Sequence, residues 1–173
     1  MGTLYLLRHA KSSWNDPSQN DFDRPLNARG KAARMLIRTW LKQNGVRPGL
    51  ILCSPAVRTR ETLEPLLDLW NPVPEIRYEA RIYEAATHSL KDVLRSAAAD
   101  ARSILMIGHN PGTQRLALDL ADSAPSKYLD RLQEKVPTAT LIRLDADGNA
   151  WARMESGAFR LGDFVVAREL ENA

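Results

Sequence analysis

Two histidines and two arginines carry the chemistry that this sequence offers. The run Thr3-Leu-Tyr-Leu-Leu-Arg8-His9 ends an apolar stretch in a base and an imidazole. Ser103-Ile-Leu-Met-Ile-Gly108-His109-Asn110-Pro111 repeats the pattern, so two of only three histidines sit just past an apolar run. A third run, Leu50-Ile-Leu-Cys53, leads into Ser54-Pro55 and then Arg58. Helix starts following such runs offer free N–H groups and a dipole that favour anions. Arginine binds phosphate oxygens bidentately. A neutral imidazole can attack phosphorus, and nearby arginines oppose its protonation and keep the attacking nitrogen free. A second histidine can donate to the oxygens on which charge spreads during phosphoryl transfer. Together these residues point to chemistry at a phosphoryl group.

The elements that must position them follow from pattern. The three apolar runs are too short for helices and read as buried strands, and residues 75–80 as a shorter one. Ala33, Leu36, Ile37, Trp40 and Leu41 form one stripe of a helix from about Asn27 to Gly45, with Asn27 as its N-cap. Ser54 and Pro55 suggest a cap and first turn for the next helix, which Pro65 kinks or ends. Thr87 suggests the cap of a helix over residues 88–99, and Asn110-Pro111 the start of another. A short helix is expected within residues 126–135. Residues 138–144 and 150–154, joined through Asp145–Asn149, read as a hairpin. The tail beyond Ser156 has no clear pattern. The polar stretch Lys11–Leu26 is long for a plain connection, a length associated with function. Alternating strands and helices predict a single domain over residues 1–173. Its class is three-layer α/β/α with a mostly parallel sheet and an antiparallel edge.

Bulk properties narrow the rest. At 173 residues, 44% hydrophobic and 26% charged, the chain has the composition of a soluble globular domain. The net charge of +3 is mild and is not gathered into a basic patch, which argues against a nucleic-acid partner. Cys53 stands alone in an apolar run and reads as a buried small hydrophobe. No stretch has membrane-spanning length and no signal segment is evident, so the expected setting is the cytoplasm without a membrane partner. No cluster has metal-ligand spacing and no glycine-rich phosphate loop is present, so neither metal nor cofactor is expected. Arg60 and His88 read as surface residues.

Arg8-His9-Ala10-Lys-Ser-Ser-Trp14-Asn15, Ser54-Pro-Ala-Val-Arg58-Thr-Arg-Glu-Thr62 and Gly108-His109-Asn-Pro resemble, in order, the signature blocks of the histidine phosphatase superfamily, the phosphoglycerate mutase-like fold. The short length and Arg24-Pro-Leu-Asn-Ala-Arg-Gly30 resemble its small phosphohistidine phosphatases of the SixA type. The resemblance implies His9 as a nucleophile forming a phosphohistidine intermediate. It implies a phosphate pocket of Arg8, Arg58 and His109, with Asn15 and Arg24 matching further phosphate-site positions. Ala10 stands where the family usually has glycine. The family's general acid has no obvious match; Glu84 is the first candidate and Glu79 the second. Only about fifty residues separate Arg58 from His109, leaving little room for the lid of larger relatives. An imidazole leaving group also depends less on a placed acid than an alcohol does. Both point to a phosphohistidine-bearing protein of signal transduction as the substrate. A small phosphorylated molecule is the first alternative. A module that binds phosphorylated residues without turnover is the second.

Overall fold

The four residues of Leu50–Cys53 are all buried, and they alternate between two hydrophobic clusters. Leu50 and Leu52 face one and Ile51 and Cys53 the other, which requires a sheet covered on both faces. A computed structural model describes residues 1–172 and shows that sheet. Its strands are β1 (Gly2–Arg8), β2 (Leu50–Cys53), β3 (Glu75–Tyr78), β4 (Ser103–Gly108), β5 (Thr140–Ala146) and β6 (Arg160–Val166), in the order β3-β2-β4-β1-β5-β6. The first four are mutually parallel, β5 is antiparallel to β1, and β6 is antiparallel to β5. The expected fold class is therefore the observed one.

Helices α1 (Ala28–Gln43), α2 (Val57–Leu63) and α7 (Ala167–Leu170) accompany one face. Helices α3 (Thr87–Ala98), α4 (Gly112–Leu120), α5 (Lys127–Glu134) and α6 (Gly148–Arg153) cover the other. Among the described residues no helix is long and apolar enough to cross a membrane.

Several helix starts differ from expectation. The N-cap of α2 is Ala56, not Ser54, and that of α3 is Ala86, with Thr87 already inside the helix. Pro111 occupies the cap position of α4, although the Asn110 side chain still accepts from the Gln114 N–H at 3.3 Å. Past Leu63 the chain tightens into a 3-10 turn, Glu64–Leu69, with Pro65 in its first turn. The largest correction is at the C-terminal end. Residues 150–154 do not form a hairpin arm: Asp147 accepts from the N–H groups of Asn149 and Ala150, starting α6. The partner of β5 is instead β6, from the tail.

Gly30 shows how closely α1 meets the loop after β1. A Cβ there would lie 2.1 Å from the Lys11 carbonyl oxygen. Asn27 caps α1 by accepting from the Gly30 N–H at 2.8 Å, and its own N–H donates to the same Lys11 oxygen at 3.0 Å. A Gly30→Ala substitution should therefore push the loop off the helix. Destabilisation of about 1–3 kcal/mol is expected, read as a lower melting temperature. An unchanged melting temperature would contradict this packing.

Candidate active site

The C-terminal ends of β1, β2 and β4 lie side by side, because β1 and β2 both pair in parallel with β4. In such sheets ligands bind beyond these ends. Here Arg8 pairs with Gly108, and the His9 N–H donates to the Gly108 carbonyl at 3.0 Å. His9 and His109 are thus brought together, with ring centroids 5.3 Å apart. A pocket of about 750 Å³ opens above them. Its lining includes Arg8, His9, Arg24, Arg58, Glu84 and His109.

His9 is 7% exposed. Its Nδ1 lies 2.7 Å from the Ala10 carbonyl oxygen, which can only accept, so Nδ1 carries the proton. Nε2 is then left with its lone pair, and the Arg58 Nε–H points at it from 3.4 Å. Burial first, and then the charges of Arg58, Arg8 and Arg24, lower the His9 pKa to about 4, despite the opposing hydrogen bond to Ala10. Ala10, fully buried in the core, donates its N–H to Thr62 Oγ at 3.0 Å, and that hydroxyl donates to the Arg58 carbonyl at 2.7 Å. Thr62 thereby ties the strand exit to the helix that carries Arg58.

His109 Nε2 lies 2.7 Å from Ser54 Oγ. The serine expected as a helix cap is instead this histidine's partner. Its oxygen also accepts the Ala56 N–H at 3.4 Å, which ties His109 to the start of α2. Nδ1 is buried without a protein partner. Burial, followed by the charges of His9 and Arg58, lowers the His109 pKa to about 3.

Sequence reasoning missed Asp21 and Tyr83. The Asp21 carboxylate accepts from Arg24 Nε and Nη2 at 3.1 and 2.9 Å, Arg58 Nη2 at 3.0 Å and Tyr83 Oη at 2.6 Å. Its backbone oxygen accepts from Arg58 Nη1 at 2.6 Å. The Tyr83 hydrogen bond, then those from Arg24 and Arg58, hold the Asp21 carboxyl well below the usual carboxylate range. Burial and the Asp21 carboxylate push Tyr83 up to about 12. Tyr83 also stands edge-on to His109, centroids 5.3 Å apart. The one local signal available for Asp21 was Arg24, the single arginine of the same loop, three positions on.

The other anticipated residues divide. Arg8 donates from Nη1 to the Val136 carbonyl at 2.8 Å while its Nε is buried without a partner. Arg24 reaches the pocket and is anchored by Asp21 and by Ser12 Oγ at 2.5 Å. Glu84 lines the rim, exposed, in a left-handed backbone conformation (φ 51°) that holds it there at some conformational cost. Glu79 lies outside the pocket lining, bonded to Arg81 at 3.0 Å. Asn15 is also outside it: the chain turns outward after Trp14 and leaves Asn15 exposed. His88 is exposed as expected, and Cys53 is buried, its thiol pushed up to about 12 chiefly by burial.

Known proteins are similar to this chain in sequence and in fold. An uncharacterised protein of Mycobacterium tuberculosis is 34% identical over 165 residues, 94% of this chain and 100% of its own length. An uncharacterised chloroplastic protein of Arabidopsis thaliana is 32% identical over 157 residues, 86% of this chain and 68% of its own. The crystal structure of a SixA protein from Agrobacterium tumefaciens superposes with a TM-score of 0.78 at 30% identity, covering 95% of this chain and 97% of that one. The protein histidine phosphatase SixA complexed with tungstate superposes at 0.77 with 19% identity, covering 97% and 99%, a likeness of fold. The sequence profile of the histidine phosphatase superfamily (branch 1) matches residues 4–102, which hold His9 and Arg58. With more than half of the chain matched, and the two-histidine pocket at the ends of its parallel strands, this protein belongs to the histidine phosphatase superfamily.

Proposed function

We propose that this phosphatase hydrolyses phosphohistidine on a protein through a phosphoenzyme at His9. The observation that carries the reading is the His9 ring itself, with Nδ1 pinned at 2.7 Å on a carbonyl and a lone pair on Nε2 beside Arg58. Nε2 attacks phosphorus as the P–N bond to the substrate imidazole breaks, and the departing ring takes a proton. Arg58, Arg8 and His109 surround the transferring oxygens and stabilise their charge, with Arg24 behind them. Water then attacks the phosphoryl group, its proton passing to Glu84 or solvent, and inorganic phosphate leaves with His9 restored.

Two features support a phosphohistidine substrate over a small ester. The pocket is far larger than a phosphate and has exposed residues at its rim. One carboxylate of its lining, Asp21, is held ionised by the side chains of Tyr83, Arg24 and Arg58 and is a poor proton donor. Glu84 remains as the acid. Replacing it with glutamine should slow an alkyl phosphate about tenfold or more but phosphoramidate only about twofold, since the alcohol depends more on protonation. Equal losses on both would contradict this assignment. The reading as a whole is tested by presenting a phosphohistidine-bearing carrier domain and a sugar phosphate side by side. Preference for the sugar phosphate would overturn the substrate class.

The lowered histidine pKa values predict a pH signature in stability. The unfolded chain takes up protons on His9 and His109 near pH 6.5, whereas the fold resists until about 4 and 3. Their neutral burial therefore costs nothing above pH 6.5, and stability falls as the pH drops towards those folded values. Between pH 7 and 4.5, a His9→Gln variant should lose about 2 kcal/mol less than the parent by urea unfolding. Parallel losses would contradict a depressed His9.

A further inference from the structure

Trp14 is 75% exposed in the lining of the pocket, yet it is held in place. The Arg24 guanidinium covers one face of its indole at 3.6 Å from the ring centroid. Arg24 is only 7% exposed, and Asp21 and Ser12 fix it, so the indole rests on an immobilised support. Phe22, 37% exposed, stands on the same loop and meets Tyr83 edge-on, centroids 5.2 Å apart. The pocket wall meanwhile carries five basic side chains, Arg8, Lys11, Arg24, Arg58 and Arg115, against the carboxylates of Asp21 and Glu84. Asp21 is already matched by two of those arginines. Lys11 and Arg115 are exposed, and neither forms a salt bridge among the described residues.

We infer that Trp14, with Phe22 on the same loop and Lys11 and Arg115 on the pocket wall, forms a docking rim for the acidic surface of a folded protein that presents the phosphorylated side chain. This rests on the phosphohistidine reading and deepens it. A rigid, exposed aromatic with charged neighbours is the makeup of interface anchors, where tryptophan and arginine dominate binding energy. Preorganisation by Arg24 spares the ordering cost that a mobile indole would incur on association. The charge excess selects an acidic partner and steers its approach. A single-stranded nucleic acid would also seek aromatic and basic groups, but it needs a basic track, and here Lys11 and Arg115 are the only exposed basic side chains on the described wall.

The test compares parent and Trp14→Ala proteins on an acidic phosphohistidine-bearing carrier domain and on phosphoramidate. Trp14→Ala should raise KM for the carrier about tenfold while changing kcat/KM for phosphoramidate less than about twofold. Arg115→Glu should raise the carrier KM about threefold or more. That effect should vanish when the carrier's acidic residues around its histidine are changed to glutamine. An unchanged carrier KM in Trp14→Ala overturns the inference. So do parallel losses on both substrates, which would make Trp14 only a prop for Arg24. Competition by oligothymidylate at the strength of the carrier would also overturn it, as a nonspecific polyanion site. Failure of the parent protein to dephosphorylate the carrier at all would sink the phosphohistidine reading and the docking rim together. Turnover with unaltered KM would sink the rim alone.

Discussion

A His9→Ala protein is expected to keep its fold and lose about 10⁴-fold or more in kcat/KM on every phosphorylated substrate. The loss is large because no other group can take over the attack. His109 is the only other imidazole among the described pocket residues, and its Nε2 is engaged by Ser54 while its Nδ1 is buried. Asp21 is an oxyanion, but its four side-chain hydrogen bonds use up its lone pairs. Water acting directly would lack the covalent step that divides the reaction into two easier ones. The fold should survive because His9 contributes mainly backbone bonds to Gly108 and Ala139, which alanine retains. Circular dichroism and a melting curve check the second half of this prediction, and steady-state kinetics the first. A residual rate within a hundredfold of the parent would mean that the phosphoryl group does not pass through His9.

Arg58→Ala should cost about 10³-fold in kcat/KM, or roughly 4 kcal/mol of transition-state stabilisation. Three roles meet in this side chain. Its Nε–H faces the His9 lone pair at 3.4 Å, where a phosphoryl oxygen would arrive. Its charge helps to keep His9 neutral. Its Nη atoms hold Asp21 by both carboxylate and backbone at 3.0 and 2.6 Å, fixing the loop that carries Trp14 and Arg24. Lysine should not restore activity, because a point charge cannot reproduce a fork that bonds the loop and the phosphoryl group together. If Arg58→Lys recovered most of the rate, the forked geometry would be irrelevant and the bound group would need only a nearby positive charge.

The parts of the molecule legible in its sequence are those governed by period and by short-range chemistry. Leu50–Cys53 reads as a strand because all four side chains are apolar and both sheet faces must be covered. The stripe from Ala33 to Leu41 and the Asn27 cap define α1 from local pattern alone. His9, Arg58 and His109 were visible because each follows an apolar run, and parallel pairing then brings run ends together. Harder to read were features that depend on distant segments. Ser54 looked like a helix cap; its hydroxyl is taken instead by His109, fifty-five positions away. Asp21 sits in a loop without period, and its importance arises from Arg24, Arg58 and Tyr83, which three different segments supply. Residues 150–154 are too few to separate helix from strand, and the Asp147 side chain decided the matter by capping. The tail strand β6 escaped notice because a register shift at Arg143/Leu144 lets its pairing depart from strict alternation.

The most direct measurement is mass spectrometry of the protein acid-quenched or base-quenched during turnover of a phosphohistidine-bearing carrier domain, with His9→Ala treated in parallel. The account predicts an acid-labile, base-stable phosphoryl group on the peptide containing His9. Inorganic phosphate should appear as that adduct decays, and neither should be seen in His9→Ala. Continued phosphate release by His9→Ala, or an adduct on any other residue, would contradict it.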